Sequence, residues 1–282
     1  MSALTYATLG PVTFNAKDAA GVEWYLSNIA GWGAPQGTLK PVQKPRQAGA
    51  WAGLSYAQGR SLVVSGAVVA PTPELAVAAL DNLISAVSLD DTLLTVYEPG
   101  GMIRTVTVRR DGDVLPVWES SVAFTFSAQV FAADPRKLGP VMSGSTGMPA
   151  TSGGLIIPHT IPFAIASTVI AGQISMFNPG NEIGSVVLRI DGPCVGPVIT
   201  HSSSTTRTAL VFSSSLALGV GEWLTVDMDS HVTLGNDQAN RASYITSRGW
   251  SGFDPGENTW AFTAPAFNPA ALLTVTATPA WQ

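Results

Sequence analysis

The sequence predicts a mainly β protein of two domains carrying a single helix. Three observations support this. Short segments alternating apolar and polar residues recur along the chain, separated by clusters of Gly, Pro, Asn and Asp. Only one stretch has helical spacing. A run rich in Gly, Ser, Pro, Thr and Met, residues 139–154, lacks any period and divides two halves of different texture. At ~100–200 residues per domain, 282 residues suggest two domains, each long enough to bury a core. The expected divisions are a domain over 1–138, a linker over 139–154 and a domain over 155–282.

The N-terminal half opens with short strand-like runs. A Gly/Pro loop follows at Gly31–Gly37, then the basic stretch Lys40–Arg46, then a glycine-punctuated segment to Arg60. Ser61–Ala70 reads as a strand. Thr72-Pro73-Glu74 then starts the helix: Thr72 can cap, Pro73 suits the first helical position, and Glu74 complements the positive end of the dipole. Leu75, Ala79, Leu80, Leu83, Ile84 and Val87 give it one apolar face. Thr92–Tyr97, Met102–Arg109 and Ser121–Phe131 read as further strands, with turns at Glu98–Gly101 and Asp111-Gly112-Asp113. In the last, Val122, Phe124, Phe126, Ala128 and Val130 form one buried face.

The second half is all β in texture. Thr168–Phe177, Ser185–Ile190, Thr208–Phe212, Trp223–Asp227, Asn258–Phe262 and Leu272–Thr278 read as strands. Turns fall at Asn178–Asn181, Asp191–Pro193, Gly219–Gly221 and Asp254–Gly256. Short strands with regular turns suggest a β-sandwich.

Composition narrows the function. The charged fraction, 12%, is about half the usual ~25%. A charge-poor surface suits a protein buried in an assembly. The net charge is −5, and the basic runs, Lys40–Arg46 and Arg109-Arg110, are too short to neutralise a phosphate backbone. They read as an exposed loop and a strand end, so no sequence-specific nucleic-acid binding is expected. The single cysteine, Cys194, excludes an intrachain disulfide and a thiolate metal site, and reads as a small buried hydrophobe. No secretory signal and no membrane span are expected, since no apolar run reaches ~18 residues.

No catalytic constellation emerges. His159, His201 and His231 stand apart from one another and from any H-E-x-x-H pattern. G-x-S-x-G and phosphate-loop signatures are absent. The carboxylate pairs Asp227/Asp229 and Asp90/Asp91 could in principle serve a glycosidase or a weak calcium site, but read more simply as solvated strand ends. Among Trp223, Trp250, Trp260 and Trp281, Trp223 and Trp260 lie in alternating strands and read as core. Trp250, in the loop Arg248–Phe253, is the candidate for stacking on a sugar. The expected set of catalytic, cofactor-binding and metal-binding residues is therefore empty, with no cofactor.

Four stretches give the chain a family likeness. Gly59-Arg60 precedes the strand Ser61–Ala70 and the helix from Pro73. An aromatic strand, Phe124–Phe131, ends in Ala132-Ala133-Asp134-Pro135-Arg136-Lys137. Asn178-Pro179-Gly180-Asn181 precedes Val187–Pro193. Trp250 leads to Asp254-Pro255-Gly256-Glu257-Asn258. In order and spacing, over residues 50–282, these resemble the distal tail proteins of siphophages, especially those infecting Gram-positive hosts. The resemblance implies a tail-tube-like split β-barrel with one flanking helix, followed by a galectin-like β-sandwich. It implies a non-enzymatic virion component made in the host cytoplasm, six copies closing a hub ring at the end of the tail. Its partners would be other copies of itself, the tail tube protein, the tail-tip or tail-associated lysin protein and receptor-binding proteins. Host glycans are a further partner class, and a carbohydrate-binding module is the alternative role.

Overall fold

The computed structural model describes residues 6–152, 168–170 and 172–282. The described residues are mainly β with one α-helix, and the chain divides into two compact units, Met1–Gly139 and Pro140–Trp281.

In the first unit a long strand, Met102–Ser120, serves two sheets. Its first part pairs with Thr92–Glu98, which pairs with Tyr6–Leu9 and, beyond that, Val12–Phe14. Its second part pairs with Ala123–Ala132, followed by Arg60–Val69, Glu23–Ala30 and Ala16–Lys17. The segment Asp111-Gly112-Asp113, expected as a turn, instead lies within this strand. Gly112 has φ +125° and the register shifts between Arg110 and Val114, so the extra residues are absorbed as a bulge.

The helix spans Pro73–Ala86, and the Thr72 hydroxyl accepts from the Leu75 N–H at 3.4 Å. Its buried face is Ala76, Ala79, Leu83 and Ala86, rotated from the expected stripe; Ile84 is exposed. Three alanines let the helix backbone approach the core closely, and Phe14, Phe124, Phe126, Leu62 and Leu94 supply the bulk. In strand Ala123–Ala132 the expected alternation holds, with Phe124, Phe126, Ala128 and Val130 all buried.

Two larger antiparallel sheets build the core of the second unit. One orders Ala239–Asn240, Val232–Gly235, Trp223–Asp227, Glu182–Asp191, Leu272–Trp281 and Met142–Gly147. The other orders Gln173–Asn178, Gly256–Thr263, Val198–Ser203, Arg207–Phe212 and Ile245–Arg248. Leu188, Ile190, Leu224, Val226, Leu273 and Val275 from the first, with Ile199, Leu210, Trp260 and Phe262 from the second, form its core.

Residues 139–154, read as a linker, are corrected here. Met142–Gly147 pairs in full register with Leu272–Ala277, and Ala150–Ser152 pairs with Thr168–Ile170. Small polar residues hid the strand, and Gly144 sits where a Cβ has little room: one added there would lie 3.0 Å from Met176. Residues 153 and 154 fall outside the described residues, as does His159.

Candidate functional site

The first unit carries an arm. Strands Glu23–Ala30 and Arg60–Val69 are neighbours, but the chain between them runs out as a hairpin with two short ladders. These are Gly37–Thr38 with Tyr56–Ala57, and Val42–Gln43 with Ala50–Trp51. Its glycines and prolines, which in sequence look like loops, lie in these ladders and their turns. Its apolar side chains find nothing to pack against: Trp51 is 54% exposed, Leu54 79% and Tyr56 66%. The arm also carries Lys40, Lys44 and Arg46 and no Asp or Glu between Gly31 and Arg60. Exposed apolar groups gathered on one element mark a candidate interaction surface.

The arm is held rigidly at its root. Arg60, only 2% exposed, donates through Nη1 to the carbonyls of Gly31 (2.9 Å) and Gly33, and through Nε and Nη2 to Pro135 O (3.2 and 3.0 Å). Lys137, 4% exposed, donates Nζ to Trp32 O at 3.0 Å, and its ammonium lies 5.5 Å from the Trp32 ring centre. Trp32 Nε1 donates to Glu98, which also pairs with Arg104 at 3.0 Å. Burial, then the Arg60 and Arg104 charges, push Lys137 down to about 8, against a smaller upward pull from Glu98. Gly31 itself is required at the bend: φ is +84°, and a Cβ would lie 2.2 Å from Ser61 O. Two separate motifs of the sequence, Gly59-Arg60 and Ala132–Lys137, are thus one structural clamp.

The long strand supplies a second exposed feature. Among the described residues, its stretch 113–120 is bonded only to Ala123–Ala132, leaving its other edge open, with Leu115, Val117 and Trp118 exposed. Open edges of this kind are templates for pairing with another chain.

In the second unit the other two motifs also meet. Asn178, 1% exposed, donates Nδ2 to Phe253 O at 2.6 Å and accepts from the Gly180 N–H at 2.7 Å. Asn258, fully buried, accepts from the Asp254 N–H (3.0 Å) and donates to Asp254 O (2.7 Å) and Gly256 O (2.9 Å). Its Oδ1 lies 2.9 Å from His201 Nε2, so the ring donates there. Asparagines at these positions close turns and tie them together.

The residues singled out for chemistry are dispersed. Asp227 accepts from the Asp229 and Ser230 N–H groups in a turn, so that pair is a turn closure. Asp91 pairs with Arg109 on the surface. His201 is buried and His231 sits at a positive-φ turn. Trp260 is fully buried, as expected. Trp250 packs partly against the core, and the His231 ring stacks on it at 4.4 Å, covering the face a sugar would need. Trp223 departs from expectation: Leu224 and Val226 point into the core, so Trp223 lies on the outer face of its sheet. Cys194 is buried, and burial pushes its thiol up to about 11. Among the described residues no group of His, Cys, Asp and Glu could hold a metal ion, and no helix is long and apolar enough to cross a membrane.

The same fold is found in solved structures from phage adsorption devices. The particular structures are these. The chain matches the crystal structure of SPP1 Dit (gp 19.1), described as a paradigm of the hub adsorption apparatus in phages infecting Gram-positive bacteria, with TM-score 0.64 over 91% of this chain and 93% of that one, at 13% identity. It matches chains of the phage P2 baseplate in its activated conformation with Ca, TM-score 0.50 at 11% identity over 96% and 97% of the two chains. With Sr the values are 0.51 at 11% identity over 96% of each. The likeness is one of fold across nearly the whole length. No family model and no curated protein matches the sequence.

Proposed function

We propose that this chain is a distal tail protein of a long-tailed phage, a structural and non-enzymatic hub. The observation that carries the reading is the fold match to SPP1 Dit across 91% of the chain. The first unit is then the tail-tube-like split β-barrel with its flanking helix, and the second the galectin-like sandwich. Six copies close a ring at the tail tip, joining the tail tube to the tail-tip or tail-associated lysin protein and offering attachment to receptor-binding proteins.

The arm and the open edge support this reading. A ring needs a heterologous interface, one surface meeting a different surface on the next copy. The long strand offers an unpaired edge, and the arm offers apolar and cationic groups to a chain whose net charge is −5. Strands Arg60–Val69 and Ala123–Ala132, and residues 113–120, present no outward lysine or arginine; Arg60 points inward and is buried. A channel wall of that kind would let a phosphate backbone pass without counterion-releasing contacts.

The test is location. Antibodies raised against the chain should label the distal end of the tail in micrographs of intact particles. Labelling of the capsid, or of the tail along its length, would refute the hub.

A further inference from the structure

Two tyrosines of the first unit face each other directly across a strand pair. Strand Tyr6–Leu9 runs against Thr92–Glu98 with Tyr6 opposite Tyr97, Ala7 opposite Val96 and Leu9 opposite Leu94. Ala7, Leu9, Leu94 and Val96 are buried, so by alternation Tyr6 and Tyr97 stand together on the outer face. Their rings stack, with centroids 3.7 Å apart and planes 14° from parallel. Aromatic pairs ordinarily sit offset or edge-on with centroids ~4.5–7 Å apart; Phe14 and Trp24, at 6.3 Å and 74°, are such a pair. The Tyr6 phenol donates a hydrogen bond to Tyr97, and that bond first, then burial, pushes the Tyr6 phenol above its ordinary range. A bond between the two hydroxyls holds the rings tip to tip. The ring carbons ortho to the hydroxyls therefore face one another.

Those ortho carbons are where oxidised phenols couple. Each tyrosine gives up one electron, and its phenolic proton passes to solvent, which both half-buried rings meet. The two radicals join in a carbon–carbon bond between ortho carbons. Each ortho hydrogen then moves to its own phenol oxygen and restores the ring. The pair loses two electrons and two protons in all. A peroxide balances the step: its O–O bond breaks as it takes up both electrons, and hydrogen peroxide with the two protons leaves as two waters.

The other oxidisable groups are placed differently. The chain has five tyrosines and one cysteine. Tyr25 donates to Glu23 at 2.6 Å, Tyr244 faces the Arg241 guanidinium, and Tyr56 lies exposed on the arm. Cys194 is buried with its thiol pushed up to about 11, so it holds little of the thiolate that reacts with peroxide. The position of the pair gives a bond there a consequence. Tyr6 opposite Tyr97 is the first step of the ladder that ends at Leu9 opposite Leu94. Peeling of the strand from that end begins by parting these two rings, and a covalent bond between them prevents it.

We propose that Tyr6 and Tyr97 are an oxidative modification site, coupling through their ortho carbons into a dityrosine staple between two strands of one protomer. The site lies within a single chain and stands apart from the hub reading. The test is brief illumination of the dilute full-length chain with a ruthenium tris-bipyridine sensitiser and peroxydisulfate, a peroxide that takes the two electrons and leaves as two sulfates. The monomer should gain dityrosine fluorescence and lose the mass of two hydrogens, and digestion should yield a linked peptide pair carrying Tyr6 and Tyr97. Tyr6→Phe and Tyr97→Phe keep the stacked ring and should each abolish that product, whereas Tyr25→Phe should leave it. In the coupled chain, hydrogen exchange at the amides of Ala7–Leu9 should slow by about 10-fold, because local opening from that end is blocked. No dityrosine in the parent, a link joining a different pair of tyrosines, product confined to covalent dimers, or fluorescence surviving Tyr6→Phe would each overturn the site. Unchanged exchange in the coupled chain would overturn the staple. None of these outcomes bears on ring mass, so failure here leaves the hub reading intact.

Discussion

Arg60→Met tests the clamp at the root of the arm. Arg60 is 2% exposed, and its guanidinium serves the carbonyls of Gly31, Gly33 and Pro135. A hydrogen bond from a charged donor contributes about 1.5–3 kcal/mol, and a buried acceptor stripped of its donor costs about 1–3 kcal/mol. Lys137 also reaches Gly33 O, at 3.5 Å, so Gly31 and Pro135 bear most of the loss. Methionine keeps the packing of the aliphatic stem, and one water entering would recover part. The expected net destabilisation is about 3–4 kcal/mol. The two units can melt separately, so the assay is urea unfolding followed by hydrogen exchange at the amides of strand Arg60–Val69. Arg60→Lys should recover less than half, because one ammonium cannot reach both sides of the clamp. If Arg60→Met unfolds within about 0.5 kcal/mol of the parent, the change a neutral surface site gives, the clamp is not what holds the arm.

Further expectations follow from other groups. Lys137 titrates near 8 in the folded chain against an ordinary 10.5, so between those values the unfolded chain holds more protons. Stability of the first unit should therefore rise as pH goes from 8 to 10.5, and Lys137→Met should flatten that slope in urea melts repeated across the range. Asn258→Ala removes a fully buried amide that closes the turn from Asp254. It should cost the second unit about 3 kcal/mol by calorimetry. Replacing Trp51, Leu54 and Tyr56 together by serine should leave the circular dichroism of the protomer unchanged, because all three are more than half exposed. The same triple variant should shift the mass distribution in light scattering toward single chains.

The sequence was most legible where one local rule acted alone. Thr72-Pro73-Glu74 located the helix start because capping needs only three neighbours. The strand expected over Ser121–Phe131 spans Ala123–Ala132, with Val122 left in the turn before it, and its alternation from Phe124 to Val130 was legible because its sheet has one dry face. Trp223–Asp227 was placed to the residue, but its facing was misread: a tryptophan was assumed to be core, when the buried positions are Leu224 and Val226. The arm stayed hidden because its ladders are two residues long and its glycines and prolines look like loops. Met142–Gly147 stayed hidden because small polar residues make a strand without an apolar period. That the clamp's two motifs touch could not be read from either alone, since Arg60 and Pro135 are joined across 75 positions. The motif pairs did carry a signal: Gly59-Arg60 with Ala132–Lys137, and the Asn178 turn with the Asp254 turn, are each one contact in space.

The central claim is that these chains close into a six-membered ring. Light scattering of the purified chain over a range of concentrations tests it most directly. The account predicts a mass six times the 29.2 kDa protomer, with annular particles in negative stain. A mass of one protomer at every concentration, with no annular particles, would contradict it.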